Sequence, residues 1–165
     1  MRQLRIALDI DDTLSNFSEE YAIFCNDPTL KNITKNVYYL RNHKNFWENL
    51  KVIHYPDFVP HVYCTRRINS KRFTKNWLLK NNLPDRPVYQ IYSQTKNKAD
   101  VLRGRCDLLI DDDFNNVLQC INSNFPALLI HSQRNKDICT PYKIYELKYK
   151  EIEKKYDELF RNHFR

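Results

Sequence analysis

Short apolar runs alternate with amphipathic stretches along most of this chain. Residues 4–8 (LRIAL) are β-compatible and stop abruptly at Asp9, Asp11 and Asp12, which predicts a first strand. Residues 61–65 (HVYCT), 88–92 (VYQIY), 107–111 (DLLID) and 127–131 (ALLIH) have the same character and predict four more strands. Between them, 70–81 carries Phe73, Trp77 and Leu78 at helical spacing, and 98–103 and 115–121 read as shorter helices. The tail, 142–164, is charged and helical. Ile144, Leu147, Ile152, Tyr156, Leu159 and Phe160 give it an apolar face for packing against a sheet. The stretch 15–57 breaks the rhythm: it is polar and aromatic, helix-like at 18–25 and 45–50, and punctuated by Pro28 and Pro56, with Pro60 just beyond it. Parallel neighbours need crossover connections, so the alternation predicts an α/β fold, a parallel sheet with helices on both faces in three layers. No internal repeat or low-complexity tract interrupts it.

Composition narrows this picture. A length of 165 residues suits one domain with a small insertion, and 42% hydrophobic with 28% charged residues is a globular balance. No apolar stretch is long enough to span a bilayer. Arg2 and Arg5 precede an apolar run that Asp9 cuts short, unlike a signal-peptide core, so a cytoplasmic protein is expected. Five cysteines, scattered and without a C-x-x-C, read as reduced and mostly buried thiols. The single glycine, Gly104, excludes a P-loop and a dinucleotide-binding G-x-G-x-x-G. A formal charge of +7 favours anionic partners such as nucleotides, nucleic acid or phosphorylated ligands, but the basic residues are spread rather than clustered.

In an open parallel sheet, residues just past the carboxyl ends of the strands face one crevice. By that rule the first strand delivers Asp9 and Asp11, the second Thr65 and the fourth Asp111 and Asp112, with Lys98 opening the helix after the third. Carboxylates so close need a cation between them, and an all-oxygen site open to phosphate suits Mg²⁺. Side chains two apart at a strand end point the same way, so Asp9 and Asp11 can reach one substrate atom. One could attack phosphorus while the other supplies a proton to the leaving oxygen. Thr65 and Lys98 would then bind the equatorial oxygens of the transferring group.

Three rival readings are weaker. Asp9, Asp11, Thr13 and Glu20 fall at calcium-loop offsets, but Leu14 stands where glycine is required and a strand precedes the loop. A signalling receiver domain also gathers acids, a threonine and a lysine at strand ends, but on other strands and without the acidic pair after the lysine. Strand-ending and helix-capping roles can explain any one aspartate, not all of them together.

These motifs resemble the haloacid dehalogenase superfamily of phosphatases over roughly residues 4–131. LDIDDTL is similar to its D-x-D-x-T first motif, VYCT to its second, Lys98 to its third and LLIDD to its fourth. The resemblance implies a HAD-like, Rossmann-like core of residues 1–14 and 58–165, with 15–57 forming a small helical cap. It implies Asp9 as nucleophile, Asp11 as general acid and base, and Mg²⁺ held by Asp9, the Asp11 carbonyl and Asp111, with Asp112 assisting. Lys98 is preferred to Lys96 as the active-site lysine because KADVLRGRCDLLIDD resembles the usual lysine, helix, strand and acidic-pair order. Within the superfamily, LDIDDTLSNF and FWENL are similar to small 5'(3')-deoxyribonucleotidases, which implies a nucleoside monophosphate substrate contacted by Phe17, Phe46 and Trp47. Asp12 replaces the glycine common there, and Arg66 and Arg67 replace Ser-Pro after Thr65. Arg66 is a candidate phosphate contact; Arg67 reads as a solvated surface side chain. A phosphatase of nucleic-acid ends and a non-catalytic binding module on the same scaffold are the alternative expectations, and no membrane partner is expected.

Overall fold

The computed structural model describes residues 3–26, 37–92 and 96–164, so Pro28 and the rest of 27–36 in the expected cap lie outside the described residues. Six strands form one parallel sheet: β1 (Ile6–Leu8), β2 (Val62–Thr65), β3 (Val88–Gln90), β4 (Leu108–Asp111), β5 (Ala127–Ile130) and β6 (Lys143–Ile144). Their spatial order is β3-β2-β1-β4-β5-β6. The helices are α1 (Phe17–Asn26), α2 (Lys44–Glu48), α3 (Lys71–Lys80), α4 (Lys98–Leu102), α5 (Phe114–Asn122) and α6 (Tyr149–His163). The fold is therefore the α/β architecture that the alternation predicts.

The period of two along each strand divides the apolar residues between the two faces. Ile6, Leu8, Tyr63, Leu108, Ile110, Leu128 and Ile130 join one cluster with Trp77 and Leu78 of α3 and Ile152 and Leu159 of α6. Ala7, Val62, Cys64, Leu109, Ala127 and Leu129 form the other with Ala99 and Leu102 of α4 and Val117 and Cys120 of α5. Burial on both faces explains why the strands read as continuous apolar runs rather than alternating ones.

Two differences from the sequence reading concern the tail. Residues 143 and 144 pair with β5 as a sixth strand, with the Leu129 amide donating to the Tyr142 carbonyl and His131 to that of Ile144, and the helix begins only at Tyr149. A two-residue strand is too short to leave a period. Its edge lysine is also buried: the Lys143 ammonium donates to the carbonyls of Asn135 and Ile138 at 2.6 and 3.0 Å.

The described part of 15–57 does not stand apart from the sheet. Leu40, Trp47 and Leu50 belong to the same buried cluster as Ile6 and Leu8. The Trp47 indole donates to the Leu40 carbonyl, Trp77 to Leu50 at 2.7 Å, and Asn76 to Glu48, riveting this segment to α3. Cys64, Cys106 and Cys120 are buried, Cys25 is half-buried and Cys139 is exposed. Among the described residues no helix is long and apolar enough to cross a membrane.

Trp77→Phe keeps a six-membered aromatic ring but loses the rest of the indole, leaving the Leu50 carbonyl without its donor, about 1–3 kcal/mol, and adding the cost of the space vacated in the core. Urea denaturation monitored by circular dichroism checks this; a variant as stable as the parent would show that the indole bond does not tie segment 37–50 to the core.

Candidate functional site

The strand order reverses direction between β1 and β4, so the crevice past their carboxyl ends is where side chains from distant segments can meet. The Asp9 amide extends the ladder by donating to the Ile110 carbonyl at 2.9 Å. The chain then curls: the Leu14 and Ser15 amides both return to the Ile10 carbonyl, and the Asp12 amide donates to Ser15. Asp12 closes this curl with φ of 58°. That left-handed conformation favours glycine, and aspartate is among the residues that tolerate it best. Its carboxylate accepts from the Ser18 amide at 2.8 Å and from the Ser18 hydroxyl, satisfying a free amide at the start of α1.

At the floor, the buried Lys98 ammonium donates to Asp9 Oδ1 at 2.5 Å, Asp111 Oδ2 at 2.7 Å and the Cys64 carbonyl at 3.0 Å. Its three hydrogens are thus all spent on the protein. Lys96, by contrast, contributes its backbone carbonyl to Arg66 at 3.1 Å. Asp111 also accepts from the Asp113 amide and from the Asn116 amide group. One oxygen each of Asp9, Asp111 and Asp112 lies within 4.8 Å of the others, a set that could hold a metal ion. Among the described residues, Asp112 Oδ2 is buried without a hydrogen bond, and the Arg134 guanidinium lies 3.6 Å from it. Lys98 contacts Asp9 and Asp111, Arg134 lies 3.6 Å from Asp112, and the three carboxyl groups together offer the hard oxygen donors that a divalent cation takes.

Burial pushes the Asp9 carboxyl up to about 8; Lys98 opposes this, while Asp111 and Asp11 add to it. Burial likewise pushes Asp112 up to about 9, reinforced by Asp111, Asp9 and Asp12 and opposed by Arg134. Burial alone would lower the Lys98 ammonium, but Asp111 and Asp9 together hold it above the ordinary lysine range.

Above the floor is a cavity of about 320 Å³. Asp9, Asp11, Thr65, Arg66, Lys98, Asp111 and Asp112 line it, together with Phe17 and Trp47. Phe17 and Trp47 stack with centroids 5.6 Å apart and planes at 12°. Phe46 is not in this lining; it sits edge-on behind Phe17 and Trp47 and against Phe24, as packing. Arg66 donates to Asn116 and, as above, to the Lys96 carbonyl.

Arg67 is not the solvated side chain that the sequence reading makes it. It is 2% exposed, with its guanidinium carbon 5.3 Å from the Trp47 ring and 5.0 Å from the Trp77 ring, and it donates to Asp11. The signal was its i, i+2 relation to Thr65, which turns both side chains the same way past β2. Arg134, within 3.6–3.7 Å of Asp12, Asp112 and Asp113, was also missed, as were Asn116 and Tyr92. Tyr92 repeats the same offset beyond β3, whereas nothing local marks Arg134. Compared with known proteins, the chain matches no family model and no curated protein.

A carboxyl whose folded pKa is raised stabilises the fold fully below the unfolded value and loses that contribution as pH rises through the folded value. For Asp9 and Asp112 the window runs from about pH 4 up to about 8 and about 9 respectively. In chelator, the melting temperature is therefore expected to fall from pH 5 to pH 9, and Asp112→Asn to flatten that fall. Thermal unfolding across the pH series checks this; an unchanged slope in the variant would contradict it.

Proposed function

We propose that this chain is a Mg²⁺-dependent phosphohydrolase of the haloacid dehalogenase type, acting on a nucleoside monophosphate through an aspartyl-phosphate at Asp9. The observation that carries the reading is the convergence of Asp9, Asp111 and Asp112 beside a buried ammonium on the floor of an open cavity. Binding a nucleic acid or a protein gives no reason to bring mutually repelling acids together, whereas a cation held between them for phosphoryl transfer does.

Asp9, Asp111 and Asp112 would hold the Mg²⁺, which when bound neutralises charge on the phosphate and on the carboxylates around it. An Asp9 oxygen attacks phosphorus, and the bond from phosphorus to the leaving oxygen breaks as Asp11 gives that oxygen a proton. Water then attacks phosphorus, yields its proton to Asp11 and releases Asp9. Thr65 and Arg66, at the cavity wall, offer donors to the equatorial oxygens. Lys98 first serves to hold Asp9 and Asp111 together, because a phosphate oxygen can gain one of its hydrogens only by displacing a partner. Phe17 and Trp47 line the cavity, but Phe17 is stacked between Tyr21 and Trp47 and Trp47 lies against Phe17 and Arg67, so the nucleotide class is supported by the likeness of LDIDDTLSNF and FWENL to nucleotidases rather than by a free stacking face.

Asp9→Asn is expected to lower p-nitrophenyl phosphate hydrolysis by more than about 10³-fold without loss of helical signal. Chelation should abolish the parent's activity and Mg²⁺ restore it. Turnover retained by the variant would mean that another group is the nucleophile, and hydrolysis in chelator would exclude the metal's role.

A further inference from the structure

Resting on the phosphohydrolase reading, we infer that Arg67 is a positioning residue that assigns different tasks to the two oxygens of Asp11. Arg67 Nε and Nη2 both lie 2.8 Å from Asp11 Oδ1. The Ser15 hydroxyl reaches the same oxygen at 3.1 Å. Among the described residues, every hydrogen bond to this carboxyl ends on Oδ1. Oδ2 receives none, although Asp11 lines the cavity and its side chain keeps 18% of its exposure.

Donors crowded on one oxygen hold negative charge there, so a proton on this carboxyl resides on the other. Oδ2 is therefore the atom that passes a proton to the leaving oxygen as the phosphorus–oxygen bond breaks, and takes one from water when the aspartyl-phosphate is cleaved. The guanidinium in turn cannot swing, because it lies between the rings of Trp47 and Trp77, and Nη2 also contacts the Ser15 hydroxyl at 3.2 Å.

Stability does not explain this arrangement. Among the described residues Arg67 Nη1 is buried without a hydrogen-bond partner, which costs free energy, and replacing a whole buried ion pair by hydrophobes of similar volume is often neutral or stabilising. An arginine whose fork is locked on a single carboxylate oxygen makes sense if the orientation of that carboxylate matters.

The test is a series of aryl phosphates running from p-nitrophenyl to p-methoxyphenyl, hydrolysed with Mg²⁺ by the parent, Arg67→Met, Arg67→Lys and Ser15→Ala. A good leaving anion needs no proton, whereas a poor one does. Arg67→Met should lose about 10²-fold in kcat on the p-methoxyphenyl ester, the scale of a general acid's contribution. It should lose less than about 3-fold on the p-nitrophenyl ester, where that contribution is absent. KM should be unchanged, and the melting temperature should fall because Asp11 loses the cation paired with it, so the split between the two esters and not the stability carries the test. Lysine keeps the charge without the fork and should restore part of the loss. Ser15→Ala, too small a change to unfold the chain, should shift the leaving-group dependence in the same direction by less. An active parent whose variants lose all esters equally overturns the role of Arg67 alone. A parent inert toward every ester overturns the phosphohydrolase reading and this inference with it.

Discussion

A buried ammonium shared by two buried carboxylates is the interaction on which the rest of the site depends. Lys98 contacts Asp9 and Asp111, which arrive from strands that are neighbours in the sheet but about a hundred residues apart in the chain. Removing these ions from water costs several kcal/mol each, and their attraction offsets that only while all three stay in place. Without the ammonium, Asp9 and Asp111 would face each other without a shared donor. Asp112 adds a third oxygen donor to this pair, and a divalent cation entering the crevice would take the place of the protons that burial favours on Asp9 and Asp112.

The sheet makes this possible by geometry alone. With β1 central and the crossovers diverging on either side of it, the ends of β1, β2 and β4 open into one space. The aromatic segment before β2 then supplies a wall. Trp47 serves both sides of that boundary: its ring packs into the core cluster, lines the cavity and lies against the Arg67 guanidinium. Core packing and site geometry are thus coupled through single side chains, and a mutation in either is felt by the other.

Most of the architecture was legible because five strands are runs of buried apolar residues, and their order in the chain with helices between them admits few topologies. Asp9, Asp11, Thr65, Lys98, Asp111 and Asp112 were legible for the same reason, since strand ends in such a sheet share a crevice. What escaped was decided by tertiary contact. Arg67 looks like half of a solvated pair until Trp47 and Trp77 are folded around it. Arg134 lies in a turn with no periodicity, held over the acids by Asn135, whose side chain donates to the Asp112 and Ile130 carbonyls. Phe46 carries the same signal as Trp47, and only packing separates the one that lines the cavity from the one behind it. β6 is too short for pattern to reveal it.

The central claim is that Asp9, Asp111 and Asp112 share one divalent cation. Anomalous diffraction from crystals grown with Mn²⁺, a close analogue of Mg²⁺ in oxygen coordination, tests it most directly. One dominant peak is expected at bonding distance from an oxygen of each of the three aspartates. A dominant peak elsewhere, or crystals saturated with Mn²⁺ that show none among these carboxylates, would contradict it.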